Sequence, residues 1–155
     1  FQELYWGMNE VPDGLILNEK WLLPVDCLLS LVQRHRLGIV TGRLRREAEW
    51  ALERFGVAEC FEVLVAHEDC LPGRLKPDPA GVNLALHRMR AGRAVYLGDT
   101  LDDRQAAWNA GLDFIGVVPP GGSYPGCFHD GACLVLKKIE DLMEVLNDET
   151  TDCGM

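Results

Sequence analysis

Nowhere does this chain contain a G-x-G-x-x-G fingerprint or a P-loop, so the two commonest glycine-rich phosphate cradles of nucleotide-binding proteins are excluded. No apolar run approaches the roughly 20 residues that span a bilayer, and no signal peptide is visible. Cationic surface is scarce as well. Fifteen Lys and Arg face 24 Asp and Glu, for a net charge of −9, which argues against nucleic-acid or anionic-membrane partners. Small phosphorylated molecules stay open, because local charge can differ from the total. None of the six cysteines (Cys27, Cys60, Cys70, Cys127, Cys133, Cys153) forms a C-x-x-C pair, and several fall in apolar segments. Reduced thiols are therefore expected rather than a disulfide framework or a zinc site, and with them a reducing, cytoplasmic setting. Internal repeats and low-complexity segments are absent too.

What is present suits one soluble domain with a real core: 155 residues, 48% hydrophobic and 25% charged. Phe1–Asn18 is mixed, with turns at Trp6-Gly7 and Pro12-Asp13-Gly14, and Asn18 is placed to cap a short helical piece over Glu19–Leu23. The pattern then alternates. Helical spacing over Asp26–His35 leads to a short strand at Leu37–Val40, and an amphipathic helix over Arg45–Phe55 stops at Gly56. Glu62–Ala66 reads as a strand, and Asp78-Pro79 opens a helix to about Met89. Ala94–Leu97 and Asp113–Val118 read as strands around a helix that starts at about Ala106 and runs to about Asn109. A short edge strand at Cys133–Val135, a helix over Ile139–Asn147 and a frayed tail from Asp148 complete the reading. Strand alternating with helix implies a parallel sheet with helices on both faces, whose ligands sit beyond the carboxyl ends of the strands.

At those ends polar residues collect. Val95-Tyr96-Leu97-Gly98 runs into Asp99, Asp102 and Asp103, three carboxylates within five residues. Such a cluster needs a cation between its members, and hard oxygen donors without His or Cys suggest Mg²⁺; a solvated turn capping the next helix accounts for the same residues. Thr41 offers a hydroxyl and Gly42 a close backbone approach, enough to hold a phosphoryl oxygen or simply to turn the chain. Lys76, ahead of Pro77-Asp78-Pro79, is a cation that can neutralise a transferring phosphoryl group or sit at the surface beside a helix cap. His67 is read as a loop histidine, and Arg43, Arg45 and Arg46 as a solvated helix start, with Arg43 within possible reach of substrate.

Taken in order, Gly38-Ile39-Val40-Thr41-Gly42-Arg43, then Lys76-Pro77-Asp78-Pro79, then Tyr96-Leu97-Gly98-Asp99-Thr100-Leu101-Asp102-Asp103, with Ala106-Ala107, Ala110-Gly111 and Gly116-Val117 trailing, resemble the haloacid dehalogenase superfamily of hydrolases. The phosphoglycolate-phosphatase-like branch is most similar, from about Leu28 to Leu146. The acidic motif with its trailing Ala-Ala and Ala-Gly is quite specific, whereas Thr-Gly-Arg alone is weak. The resemblance implies a three-layer Rossmann-like fold. It implies that Thr41 and Gly42 bind the substrate phosphate and that Lys76 steadies phosphate and nucleophile. Asp99 would ligate Mg²⁺, and Asp103 would help ligate it or orient its waters, with Asp102 a weaker candidate. It also implies a phosphatase acting on a small phosphorylated metabolite through an aspartyl-phosphate intermediate.

One family element does not match. The Asp-x-Asp-Gly motif that supplies the nucleophile and the general acid/base is not found, and Asp13-Gly14 is the nearest approach, with Val11 at the nucleophile position. Residues 1–23 are therefore expected to be a remnant of the cap returning to the core, 24–147 the core and 148–155 the tail, with the central first strand missing. Such a chain is expected to be inactive alone and to need an upstream segment or a second chain to complete its sheet. A non-catalytic phosphate-binding or interaction module on the same scaffold is the alternative, and an unrelated doubly wound domain a third. Substrate identity and oligomeric state are not legible.

Overall fold

The computed structural model describes residues 2–7, 12–70, 72–118 and 134–148. Among these residues six α-helices and five strands follow in order: α1 (Gln2–Trp6), α2 (Val25–Val32), β1 (Gly38–Val40), α3 (Arg45–Arg54), β2 (Val63–Val65), α4 (Ala80–Met89), β3 (Val95–Gly98), α5 (Leu101–Asn109), β4 (Asp113–Val117), β5 (Leu134–Leu136) and α6 (Leu142–Asp148). Every strand pair is parallel.

Side-chain alternation along the strands sets the layers. On one face Ile39 and Leu64 pack with Leu28 of α2 and Leu52 of α3. On the same face Val95, Leu97 and Ile115 pack with Leu31 of α2 and Leu142 of α6. On the other face α4 approaches so closely that a Cβ on Gly81 would lie 3.1 Å from Val40 Cγ1. There Tyr96 and Phe114 pack with Ala107 of α5. The fold is thus the expected three-layer α/β sandwich with helices on both faces.

The sheet itself is in two pieces, β1-β2 and β3-β4-β5. Among the described residues no backbone hydrogen bond pairs β1 with β3. The two pieces are held together by α2, whose Leu28 and Leu31 enter different core clusters, and by Leu37, which touches both. Burial carries the same mark. β4 is buried at three successive positions, while β3 is half-buried throughout although its residues are at least as apolar.

Three local expectations are corrected. The helical piece lies at Leu15–Asn18, a 3₁₀ turn, not at Glu19–Leu23. Ile16 is fully buried there, Arg54 binds the Ile16 and Leu17 carbonyls at 3.2 and 2.9 Å, and Pro24 disfavours a helical Leu23. Second, α5 begins at Leu101, five residues before Ala106, because Thr100 and Asp103 form a reciprocal capping box. Third, the edge strand runs on to Leu136, one residue beyond Val135. Cys27, Cys60 and Cys70 are free thiols; Cys127, Cys133 and Cys153, the turn at Pro119–Gly122 and most of the tail lie outside the described residues. Among the described residues no helix is long and apolar enough to cross a membrane.

Candidate active site

Lys76 and Asp103 meet in an ion pair that joins the loop before α4 to the first turn of α5. Their side chains are 23% and 6% exposed, so the pair is largely shielded from water. Asp103 is gripped from several sides. Its Oδ1 accepts from Lys76 Nζ and lies 3.3 Å from the Tyr96 hydroxyl. Its Oδ2 accepts from the Thr100 hydroxyl at 2.6 Å and the Thr100 N–H at 3.2 Å. Burial pushes the Asp103 carboxyl up, but the hydrogen bonds from Lys76 and Thr100 outweigh it and hold the group below the ordinary carboxylate range.

Gly98 makes room for this arrangement. A Cβ there would stand 2.5 Å from Asp103 Cβ and 2.7 Å from its Cγ, so any side chain would push the carboxylate away. Asp99 and Asp102 are exposed at the mouth of the same turn. At the end of β1, Thr41 N–H binds Val65 O at 2.9 Å, and Thr41 Oγ1 accepts from Arg43 N at 3.2 Å. The hydroxyl proton of Thr41 is left to be donated elsewhere. A Cβ on Gly42 would meet nothing within 4 Å.

Tyr96 connects these groups. Its hydroxyl lies 3.4 Å from the Val40 carbonyl, one residue before Thr41, and 3.5 Å from Lys76 Nζ. Burial, then the Asp103 charge, push the phenol well up, so it stays neutral. A further contact joins the Lys76 loop to α5: Asn109 Nδ2 donates to Pro77 O at 3.1 Å.

The strand end before Thr41, together with Lys76 and Asp103, therefore converges on one corner of the fold, with Asp99 at its mouth. Arg43 points elsewhere: it binds Glu19 at 3.1 Å, the Tyr5 hydroxyl at 2.8 Å and the Glu47 carbonyl at 3.2 Å, fastening the N-terminal segment. His67 is exposed. Asp13 lies against Gly7, its N–H bound to Trp6 O at 3.1 Å, in the N-terminal turn. Tyr96, Gly98 and Thr100 were not expected to act. Thr100-x-x-Asp103 is a legible capping-box pattern, and a glycine ending an apolar strand marks close backbone approach. Nothing in the sequence singles out the Tyr96 hydroxyl.

The haloacid dehalogenase-like hydrolase family model matches residues 25–117, more than half of the chain. The chain belongs to that family. It is of the phosphoglycolate-phosphatase-like type. It is 37% identical over 93 residues to a phosphoglycolate phosphatase of Rhodobacter capsulatus, covering 57% of this chain and 42% of that protein. It is 36% identical over 124 residues to an imidazoleglycerol-phosphate dehydratase of Phytophthora nicotianae, covering 77% of this chain but 26% of that protein. Among solved structures, CbbY of Rhodobacter sphaeroides in complex with phosphate is 28% identical with a TM-score of 0.66, covering 83% of this chain and 59% of that one. The chain thus spans less than half the length of the two curated relatives.

Hard oxygen donors here suit Mg²⁺, which keeps several waters and binds through one or two carboxylates together with substrate phosphate. Asp99 fits as a direct ligand because it is exposed. Asp103 fits less well as one, since both its oxygens are engaged by Lys76 and Thr100. Among the described residues no group of three or more His, Cys, Asp or Glu is placed to hold a metal ion by itself. Asp99, Asp103 and Lys76 are thus the charged groups from the predicted set that this corner holds.

Proposed function

We propose that this chain is the larger part of the core of a Mg²⁺-dependent phosphatase acting on a small phosphorylated metabolite. The observation that carries the reading is the buried Lys76–Asp103 pair standing beside the strand end of Thr41. A fixed ammonium is placed to offset charge on phosphoryl oxygens, with Asp103 holding it in position. The Thr41 hydroxyl and the Gly42 N–H would bind two of those oxygens. Asp99 would hold Mg²⁺ at the open side, and the ion would neutralise the phosphoryl group when bound. Asp102 is assigned no more than a share in the charge of that face.

The attacking carboxylate is the part this reading does not find among the chain's motifs. Among the described residues β1 pairs only with β2 and β3 only with β4, and a parallel strand entering between β1 and β3 would bring an Asp-x-Asp-Gly turn to the same corner. In this reading residues 1–23 are the returning end of a cap, and catalysis needs that further strand, from an upstream segment or a second chain. The relatives' coverage supports it, since each is at least about twice as long as the stretch matched.

Turnover of a generic phosphate ester such as p-nitrophenyl phosphate, with Mg²⁺, tests the proposal. The 155-residue chain should hydrolyse it no faster than background. A longer chain carrying an upstream strand with Asp-x-Asp-Gly should turn it over. Failure of that longer chain would leave the alternative, a non-catalytic phosphate-binding or interaction module on the same scaffold.

A further inference from the structure

The geometry points to Tyr96 as a positioning residue, whose hydroxyl keeps the Lys76–Asp103 pair in register with the strand end that carries Thr41. What the pair does rests on the proposed function; where it stands does not. Four segments meet at this one oxygen. Tyr96 comes from β3, Val40 from β1, Lys76 from the loop before α4 and Asp103 from α5, at 3.4, 3.5 and 3.3 Å respectively from the hydroxyl.

Backbone parity explains why β1 needs such a contact. Leu37 O accepts from Glu62 N and Thr41 N donates to Val65 O, so the odd-numbered residues of this strand turn their polar groups toward β2. Val40 turns its carbonyl the other way, toward β3. With no strand pairing there among the described residues, the Tyr96 hydroxyl approaches this carbonyl; a further strand entering between β1 and β3 would take the carbonyl over and leave the hydroxyl to Lys76 and Asp103. A phenol carries one proton and accepts through its lone pairs. It accepts from Lys76 and gives its proton to Val40 O or to Asp103 Oδ1, which are almost equally distant.

The ring holds the hydroxyl in place. It stacks on Phe114 at 6.4 Å and 19°, and Phe114, itself 4% exposed, packs on Ala107 of α5. The hydroxyl is therefore carried on the rigid β3-β4-α5 side and reaches toward the β1 side. A phenylalanine would keep the ring packing and lose the link, which separates positioning from simple core filling.

The test is Tyr96→Phe in the 155-residue chain, read by nitrogen-detected NMR of lysine ammonium groups. Loss of one hydrogen bond should speed Lys76 ammonium proton exchange about fivefold. Amides of β4 should keep their protection, and the melting temperature should move by no more than about 4 °C. Unchanged Lys76 exchange, or loosening spread evenly over β3 and β4, overturns the inference. Should Y96F fail to fold, the wild-type chain decides: cross-relaxation between the Tyr96 ring and the Lys76 Cε protons supports the contact, and its absence overturns it. Inorganic phosphate with magnesium chloride separates this from the proposed function. A wild-type chain that binds neither contradicts the phosphatase reading, whereas the Lys76 response to Y96F stands or falls on its own.

Discussion

The two sheets hold their halves of the site by opposite means. On the β3-β4-β5 side Asp103 is fixed before any ligand arrives. Gly98 leaves it space, Thr100 caps the helix through it, and Lys76 completes its oxygens. On the β1-β2 side Thr41 and Gly42 stand on an open turn with nothing pressing on Gly42. A charged group in a shielded place must have its partners built in, because an unpaired buried charge is costly. Groups meant to meet a ligand must stay uncovered. The difference between the halves is thus what the proposed site for an anionic substrate would need.

The division can be broken most forcefully through α2, the helix that spans it. Leu31→Ala removes contacts with Ile115, Leu136 and Leu142, and Leu28→Ala removes contacts with Leu52 and Val57. Each should cost about 2–5 kcal/mol in urea unfolding. Amide exchange should rise most in β3 and β4 for L31A, and most in β1 and β2 for L28A. Identical loss of protection in both would mean the two sheets are one energetic unit.

Gly98→Ala comes next. The new Cβ overlaps Asp103, so about 1–3 kcal/mol should be lost. NMR should also show Lys76 released from its partner. Gly42→Ala is the opposite case and should change stability by less than about 0.5 kcal/mol while reducing phosphate affinity. Equal effects at the two glycines would erase the contrast between the gripped half and the open half.

Between these in size lies an acid effect. Asp103 and Asp69 both titrate below the ordinary carboxylate value. Burial raises each, but Lys76 and Thr100 for Asp103, and the Ala66 N–H with Arg88 and Arg45 for Asp69, outweigh it. A depressed folded-state value contributes stability above the unfolded pKa of about 4, and that stability is lost as pH falls through the folded value. Urea midpoints measured from neutral pH downward should therefore drop steeply below about pH 4. Lys76→Met should lower stability at neutral pH by about 1–3 kcal/mol and flatten the Asp103 part of that drop. A K76M profile parallel to wild type would contradict the pairing.

How much of this was readable before any coordinates is clear from particular residues. The strand-helix alternation was legible, because apolar runs ending in glycine carry a local pattern, and that pattern marked Lys76, Asp99 and Asp103 as candidates. The start of α5 at Leu101 was missed, although Thr100 and Asp103 spell a capping box. The turn at Leu15–Asn18 was misplaced because its stability comes from Ile16 burial and from Arg54, 36 or more residues away in sequence. Tyr96 was invisible as a site residue. Its role arises from the approach of its hydroxyl to Val40, 56 residues away in sequence, which no local pattern encodes.

The central claim is that groups from both sheets serve one phosphate and one divalent cation. Amide and side-chain NMR of the wild-type chain, titrated with magnesium chloride and inorganic phosphate together, tests it most directly. The account predicts that Thr41, Gly42, Lys76 and Asp99–Asp103 shift with one common affinity. Shifts confined to one sheet, or no shifts at saturating phosphate, would contradict it.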